Sequence, residues 1–497
     1  FGGLGDQSKG EIGVLAGPGH NGGDALVVAR ELHHLGFSVR VYQPFLPPSS
    51  RCKPLTRQHG DYTKKLGIEF VAAVSDLAEC DAIIDGWFGF GLTRPITDEL
   101  ANDIAFINQL SHQLSVPVFS IDLPSGIHTD TGRVMGTAVK ASYTACLGLW
   151  KRGFMQAEAL AFLGECELID FDIPLADIEA VLGQQPTTQR LSHEQGLAHL
   201  PLDRSPTAHK YTVGHLLLVA GSRQYAGAAL LTGLGAIASG VGMLTLAVPE
   251  SIRLALLPEL PGALLLGCPE TDSGAIAAFP DQTDLSQYDA IAFGPGLTPS
   301  APDLLAQVMA ANCPLLLDAD GLNLLSQSNP IQQLQNRQAA TILTPHIGEF
   351  KRLFPDIHSQ YADDLPGEAA LKAAEASSAI VLLKGPRSAV AQAAASSSSQ
   401  SKLWFNPYST AALARGGSGD VLTGLMGGLL ATAATQASQQ KNPPPVESLT
   451  SAVLGAVWWH SQAALYASNQ RTLLGVDPLH LAQALNPALQ AILMCSF

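Results

Sequence analysis

Three glycines, a serine and an aspartate stand directly before a long apolar run in "ARGGSGDVLTGLMGGLL", residues 414–430. Gly416, Gly417 and Gly419 leave backbone N–H groups unobstructed, and the helix that the apolar run predicts adds the positive end of its dipole. Phosphoryl transfer needs such a cradle, because its transition state spreads negative charge over the equatorial oxygens. Asp420 sits at the mouth of the cradle, placed to take a proton from a hydroxyl as that oxygen attacks phosphorus. A glycine-rich helix start capped by aspartate is the plain alternative; the density of features, with the partners described below, favours chemistry.

A second candidate lies near the other end. "GPGHNGGDALVVAR" follows "IGVLAG" (12–17) and opens a helix. Its glycines admit a ligand to the backbone, and the free N–H groups of the helix start favour phosphate. Alone this is weak, since many α/β folds need glycine there for packing and the G-x-G-x-x-G spacing is absent. Three loops read together say more. Asn21, Asp85 and Ser125 each come just after a predicted strand. They offer hard oxygen donors without histidine or thiolate, which suits a cation of low charge density, or Mg²⁺ or Ca²⁺, better than zinc. Singly, each is as well explained as a cap or a strand end; the set is not.

These groups require elements that bring them to one edge. "SVRVYQP", "DAIIDGWFGFG" (81–91) and "VPVFSIDLPSG" (116–126) read as further strands, with "GDALVVARELHHLG" (23–36) an amphipathic helix between the first two. This βαβ alternation predicts a parallel sheet covered by helices, with functional groups at the carboxyl ends of its strands. A second such series starts at "GHLLLVAGS" (214–222) and continues through "DAIAFGPGL" (289–297), "PLLLDAD" (314–320), "ATILTPH" (340–346) and "AIVLLKGP" (379–386). Between the two, 176–207 loses the strand pattern and reads as a connection with some helix of its own. "AQAAASSSSQSK" (391–402) is low in complexity and reads as a hairpin tip, and "QQKNPPPVES" (439–448) as a surface loop between helices.

The bulk properties agree. A chain of 497 residues, 46% hydrophobic and 14% charged, is globular with more than one core. A net charge of −15 argues against nucleic acid or an anionic membrane as partner, though not against a small anionic substrate in a locally positive pocket. The 7 cysteines are scattered without a C-x-x-C, which argues for buried free thiols in a reducing, cytoplasmic setting. Residues 226–248 carry no charge over a bilayer-spanning length, but five glycines and the ending "MLTLAV" predict a buried helix followed by a buried strand. No secretory signal opens the chain; a strand comes almost at once, so an N-terminal helix is expected to be missing.

"GHNGGDALVVAR", "DAIIDGWFGFGLTRPI", "SIDLPSGIHTDTG" and "LWKRGF" resemble, in order and spacing, the motifs of the NAD(P)H-hydrate epimerase family, the YjeF N-terminal domain. The resemblance covers roughly residues 10–175. It implies a Rossmann-like three-layer α/β/α domain over 1–175 that binds the hydrated dinucleotide through His20, Asn21, Gly22, Gly23 and Asp24 and through Gly89, Phe90, Gly91, Leu92, Thr93, Arg94 and Pro95. It also implies potassium (K⁺) on Asn21, Asp85 and Ser125, and Asp122 in contact with the substrate. The family usually has asparagine where this chain has His20. Epimerising the ring at C6 needs release and re-addition at the carbon bearing oxygen, and Asp122 could move a proton on or off that hydroxyl.

"GGSGD" is similar to the G-x-G-D anion hole and base of ribokinase-like enzymes, and "TPHIGE" to the T-P-N-x-x-E of vitamin kinases, where the glutamate assists a metal; here His346 replaces the asparagine. "HKYTVGHLLLVAGSRQYAGAALLTGLGA", "DADGLN", "TPHIGEF" and "GGSGDVLTG" together resemble the NAD(P)H-hydrate dehydratase family, the YjeF C-terminal domain, over about 205–490. Ser418 stands where that family has threonine. The resemblance implies a ribokinase-like α/β domain over 208–497, after a linker at 176–207. Ala228, Gly296, His346 and Asp420 would contact the hydrated substrate; Lys384, Gly385, Pro386, Arg387, Ser388 and Gly419 would contact an adenine nucleotide carried with Mg²⁺. The implied reaction phosphorylates the C6 hydroxyl, with Asp420 as base, and the ring nitrogen then expels phosphate. ADP is the expected donor, with ATP the alternative. The substrates would be NADHX and NADPHX. Two rivals stay open: a ribokinase-like kinase of a vitamin or sugar, which leaves the N-terminal half unexplained, and a non-enzymatic nucleotide-binding scaffold, which would need none of Asp85, Asp122 and Asp420. The sequence leaves the oligomeric state open, a homo-oligomer included.

Overall fold

The structure is a computed structural model that describes residues 10–45, 52–298, 302–362, 365–396, 399–439 and 444–495. It divides into two compact units between Gln185 and Pro186.

The first unit is built on seven strands: β1 (Glu11–Ala16), β2 (Ser38–Tyr42), β3 (Glu69–Val71), β4 (Ala82–Gly86), β5 (Val118–Ile121), β6 (Tyr143–Leu147) and β7 (Glu165–Ile169). They form one sheet in the order β3-β2-β1-β4-β5-β6-β7, and every pairing is parallel. Parallel neighbours need crossovers, and helices such as His20–His34 and Asp98–Leu114 supply them. Strand order reverses between β1 and β4, which opens a crevice at their carboxyl ends. The first helix begins at His20, three residues before the apolar pattern does, so the whole "HNGGD" lies in its opening turn. Glycine's poor helix propensity hides that start in the sequence. Gly22 is a packing requirement, because a Cβ there would come to 2.0 Å from the Gly17 carbonyl oxygen.

The second unit carries β8 (Thr188–Arg190), β9 (His215–Val219), β10 (Met243–Pro249), β11 (Leu264–Cys268), β12 (Ala290–Phe293), β13 (Leu315–Leu317), β14 (Thr341–Leu343), β15 (Ile380–Leu383), β16 (Ser388–Gln392) and β17 (Lys402–Asn406). Their order is β11-β10-β9-β12-β13-β14-β15-β16-β17-β8. Pairings from β11 to β15 are parallel; β16 and β17 fold back antiparallel at the side of β15. The parallel strands are buried runs such as "HLLLV" and "IVLL", as a sheet covered on both faces demands. The switch in order lies between β9 and β12. Within 176–207, β8 is a strand that the sequence pattern does not reveal: three polar residues at a sheet edge have no apolar alternation to display. The helices Leu175–Leu182 and His193–Ala198 also lie in this segment. In 391–402, β16 and β17 flank a hairpin tip whose residues 397–398 lie outside the described residues, as do 440–443 of the loop at 439–448.

Residues 226–248 form the helix Ala226–Ala238 followed by β10, and among the described residues no helix is long and apolar enough to cross a membrane. The glycines of this helix meet those of the helix Ser418–Gln439. A Cβ on Gly424 would come to 1.8 Å from the Thr232 carbonyl oxygen, and one on Gly235 to 2.2 Å from that of Val421. Two backbones thus touch, and this fixes where the amino end of Ser418–Gln439 lies. Five cysteines are buried: Cys52, Cys80, Cys146, Cys268 and Cys313.

Candidate functional site

In the first unit, Asp85 ends β4 and is fully buried. Its Oδ1 accepts from the Ser125 hydroxyl at 2.6 Å and from the Trp87 amide at 3.3 Å; its Oδ2 accepts from the Ser120 hydroxyl at 2.8 Å and the Ser125 amide at 2.9 Å. Burial pushes the carboxyl up, and these four bonds oppose that. Among the described residues no cationic side chain pairs with it. The Ser125 hydroxyl also approaches the Phe88 carbonyl at 3.3 Å. Asn21, 9% exposed, leaves its Nδ2 without a hydrogen-bond partner.

Asp122 follows β5 in the left-handed region at φ 68°. For a residue with a Cβ this conformation stores about 1 kcal/mol or more and clusters at functional sites. Its carboxylate forms an ion pair with Lys151 and accepts the Phe90 amide at 3.2 Å. Lys151 in turn donates to the Leu147 carbonyl at 2.5 Å. Gly89 lies over this group: a Cβ there would come to 2.9 Å from Asp122 Oδ2 and 3.2 Å from Asn21 Oδ1. Asp24 is close enough that Asp122, after burial, pushes its carboxyl up. The structure therefore brings Asn21, Asp24, Gly89 and Asp122 to one place, with Asp85 and Ser125 bonded side by side at the ends of neighbouring strands. His20, Phe90, Gly91, Thr93, Arg94 and Pro95 form the exposed rim, and Leu92 is half-buried. Gly22 and Gly23 are buried in the first helix turn, where Gly22 serves packing. Lys151 belongs to the quoted "LWKRGF", but nothing in one sequence pairs it with Asp122.

In the second unit the groups converge from four chain segments. Asp318 follows β13 and is 2% exposed. Its Oδ1 meets Lys384 Nζ at 2.7 Å, and its Oδ2 accepts from the Thr423 hydroxyl at 2.7 Å. Burial would raise its carboxyl, but Lys384, Thr423 and Thr344 outweigh burial and hold it below the ordinary value. Burial alone would lower the Lys384 ammonium; Asp318, Glu349 and Asp420 around it raise it instead. Ala319, at φ 48°, is a second non-glycine residue in the left-handed region and sits between Asp318 and Asp320.

Asp420 lies in the first turn of Ser418–Gln439. Burial, then Asp318 and Asp320, push its carboxyl up to about 7 against the pull of Lys384. This is where a general base is most effective near neutral pH. The three glycines before it divide their work. Gly416 has open space around it; Gly417 adopts φ 97° and packs on Leu231 and Pro478; a Cβ on Gly419 would lie 3.6 Å from Lys384 Nζ. The Ser418 hydroxyl donates to the Leu413 and Arg415 carbonyls at 2.9 and 3.0 Å, holding the turn.

His346 caps the helix Ile347–Leu353: its Nδ1 accepts from Gly348 and its amide donates to Glu349 at 2.9 Å. It is bridged to Lys384 across the ends of β14 and β15. Ala228 and Gly296 meet at the switch between β9 and β12, where a Cβ on Gly296 would come to 2.8 Å from that of Ala228. Gly385, Pro386, Arg387 and Ser388 form the turn from β15 into β16; Ser388 donates to the Gly385 carbonyl at 3.2 Å, and Arg387 binds the Pro407 carbonyl. Asp318 and Thr423 were not legible as site residues, although "DADGLN" marked the place. Among the described residues no three His, Cys, Asp or Glu side chains are grouped to hold a metal by themselves.

Residues 216–487 match the family described as NAD(P)H-hydrate dehydratase, and residues 3–153 the YjeF-related protein N-terminus. The chain is 50% identical over 482 residues to the bifunctional NAD(P)H-hydrate repair enzyme Nnr of Thermosynechococcus vestitus, covering 97% of this chain and 88% of that one. It is 52% identical over 477 residues to the enzyme of the same name from Synechocystis, covering 96% and 85%. Among solved structures, the ADP/ATP-dependent NAD(P)H-hydrate dehydratase from Bacillus subtilis, co-crystallised with ATP/Mg²⁺, is 31% identical, with a TM-score of 0.49 and coverage of 61% of this chain and 98% of that one. With both halves matched in order and half of all positions identical over nearly the whole length, the chain belongs to the family of bifunctional NAD(P)H-hydrate repair enzymes.

Proposed function

We propose that this protein repairs hydrated nicotinamide dinucleotides at two sites. The N-terminal site interconverts the R and S forms of NADHX and NADPHX. The C-terminal site dehydrates the S form at the expense of ADP, or of ATP. Family membership supports the pair of reactions. The single observation that carries the second is Asp420, its carboxyl raised to about 7, beside Lys384 at the mouth of a glycine-rich helix start.

At the C-terminal site Asp420 takes the proton of the C6 hydroxyl, and the oxygen attacks the terminal phosphoryl group of ADP, releasing AMP. Gly419 and the neighbouring amides face the developing negative charge, with the Lys384 ammonium beside them. The ring nitrogen's electrons then break the C6–O bond, phosphate departs, and loss of a C5 proton restores the double bond. Mg²⁺ would arrive with the nucleotide, held by its phosphates and by one or two carboxylates. Glu349, buried behind His346, is the carboxylate placed to help hold it. Bound there, Mg²⁺ would neutralise phosphate charge.

At the N-terminal site Asp122, held by Lys151, would relay a proton onto the C6 hydroxyl as the C–O bond breaks and water leaves, and take a proton back when water adds to the other face of the ring. Asn21, Asp85 and Ser125 would hold K⁺. A buried carboxylate without a cationic partner, set among oxygen donors, fits that ion. K⁺ would neutralise Asp85 and steady the loop that carries Phe88 to Phe90.

The free thiols agree with a cytoplasmic protein. The test is to incubate the chain with S-NADHX and ADP and follow the absorbance of the reduced ring together with AMP. Recovery of the ring with one AMP per turnover supports the reading; a stable phosphate ester of another alcohol, with the hydrate untouched, would favour the small-molecule kinase.

A further inference from the structure

We propose that His460 is a positioning residue for phosphoryl transfer: it grips the Ser418 carbonyl and thereby aims the Gly419 amide into the anion cradle. This rests on the reading of that cradle as the phosphate site.

His460 lies in the middle of the helix Val446–Arg471 and is 6% exposed. Its Nε2 is 2.9 Å from the Ser418 carbonyl oxygen. A carbonyl only accepts, so Nε2 carries the proton and donates. Burial keeps the ring neutral, pushing its pKa down to about 4. A neutral donor suits the place, because a second positive charge would repel Lys384.

The lever is the peptide bond. It is planar and trans, so the Ser418 C=O and the Gly419 N–H point in opposite directions. Holding one therefore sets the other. As the second residue of the helix, Gly419 has no intrahelical acceptor for its N–H. The residue borders the reacting cluster: a Cβ on Gly419 would lie 3.6 Å from Lys384 Nζ and 3.9 Å from Asp318 Oδ2. The Ser418 side chain does not hold this peptide, since its hydroxyl is engaged with Leu413 and Arg415.

His460 is itself rigidly mounted. Its neighbour Trp459 donates to the Leu485 carbonyl at 2.7 Å. Ser461 donates to the Val457 carbonyl at 2.9 Å and accepts from Asn406 at 2.8 Å. The turn before Gly419 is held at Gly417 by Leu231 and Pro478 and at Ser418 by its hydroxyl, while Gly416 has open space around it. The helix Val446–Arg471 thus adds a fixed point at the Ser418 carbonyl, which neither of those holds supplies.

The experiment compares wild type with His460→Phe, which keeps an aromatic ring but lacks the donor, and with His460→Gln, whose amide N–H can reach the same carbonyl. Full-length proteins are assayed with S-NADHX and ADP, and epimerisation by the N-terminal site serves as an internal control. Losing one oxyanion donor outright costs about 10²–10³ in kcat, so a misaimed donor is expected to cost about 10- to 100-fold. The account predicts that loss in kcat for H460F, a KM for the hydrate within about threefold of wild type, and recovery of most of the rate in H460Q. H460F turning over within twofold of wild type would overturn it. So would equal losses in H460F and H460Q when both melt like wild type. If H460F does not fold, H460Q is compared with His460→Asn, whose shorter amide falls short of Ser418. Activity in the first and loss in the second uphold the lever; equal activities refute it. A wild-type protein without ADP-dependent dehydration would instead defeat the functional reading beneath it.

Discussion

Replacing Asp420 by asparagine should do two opposite things, stabilise the fold and slow the reaction. Its carboxyl stands at about 7, against an ordinary 3.8. The difference of about 3 pK units corresponds to about 4 kcal/mol of preference for the neutral form, at 1.36 kcal/mol per unit. The sign for stability follows. A carboxyl raised in the folded state holds its proton more tightly there than in the unfolded chain. Below the ordinary carboxylate range the two states are alike; as pH rises from there through about 7 stability falls, and above it the loss is complete. D420N never ionises, so at pH 8 it should be more stable than wild type, by up to about 4 kcal/mol. Catalysis runs the other way. Only the ionised carboxylate can take the hydroxyl proton, so wild-type kcat/KM for dehydration should rise about tenfold per pH unit below about 7 and level off above it. D420N should lose about 10²–10⁴-fold in rate, together with that inflection. The assays are recovery of the reduced ring across pH 5 to 9 and thermal melts of both proteins at pH 8. A wild-type profile flat from pH 5, or a D420N protein that keeps both the rate and the inflection, would refute the role of Asp420 as base.

Three further outcomes concern the N-terminal unit. Asp85→Ala removes the buried charge that would hold K⁺ and should abolish epimerisation while leaving dehydration of S-NADHX intact; loss of both activities would mean that the two units do not act separately. Lys151→Met breaks the pair with Asp122, so epimerisation should fall about a hundredfold, the lower end of the range for acid–base groups, and an unchanged rate would free Lys151 of any role. Gly89→Ala places a methyl 2.9 Å from Asp122 Oδ2, and should raise KM for the hydrate in epimerisation without touching the ADP-dependent step, as steady-state kinetics of the two reactions will show.

Much of the architecture was legible because parallel strands covered on both faces must be apolar throughout, and "LLLV", "LLL" and "IVLL" announce themselves. The strand ends then pointed to Asn21, Asp24, Asp85, Asp122 and Ser125, and the glycine-rich helix start to Asp420. What periodicity cannot carry is partnership across the fold. Asp318 and Thr423 meet over 105 positions, and Lys384 joins them from a third segment. His460 is 42 residues from Ser418 and reads as one more residue of a buried helix. Glycine carries more than one meaning: Gly22 and Gly417, read as part of ligand-approaching loops, also meet demands of close packing and of a turn. β8 was hidden because an edge strand of three polar residues looks like a connection.

The central claim is that two independent sites share one freely diffusing substrate. It is tested by mixing D85A, which should retain only dehydration, with D420N, which should retain only epimerisation. The mixture is given pure R-NADHX and ADP for a period short against spontaneous epimerisation. Each variant alone should leave the reduced ring unrecovered; together they should recover it fully, because the S hydrate made by one protein reaches the other through solution. If the mixture recovers no more than either variant alone, while each still performs its own half-reaction, the account of two separable sites is wrong.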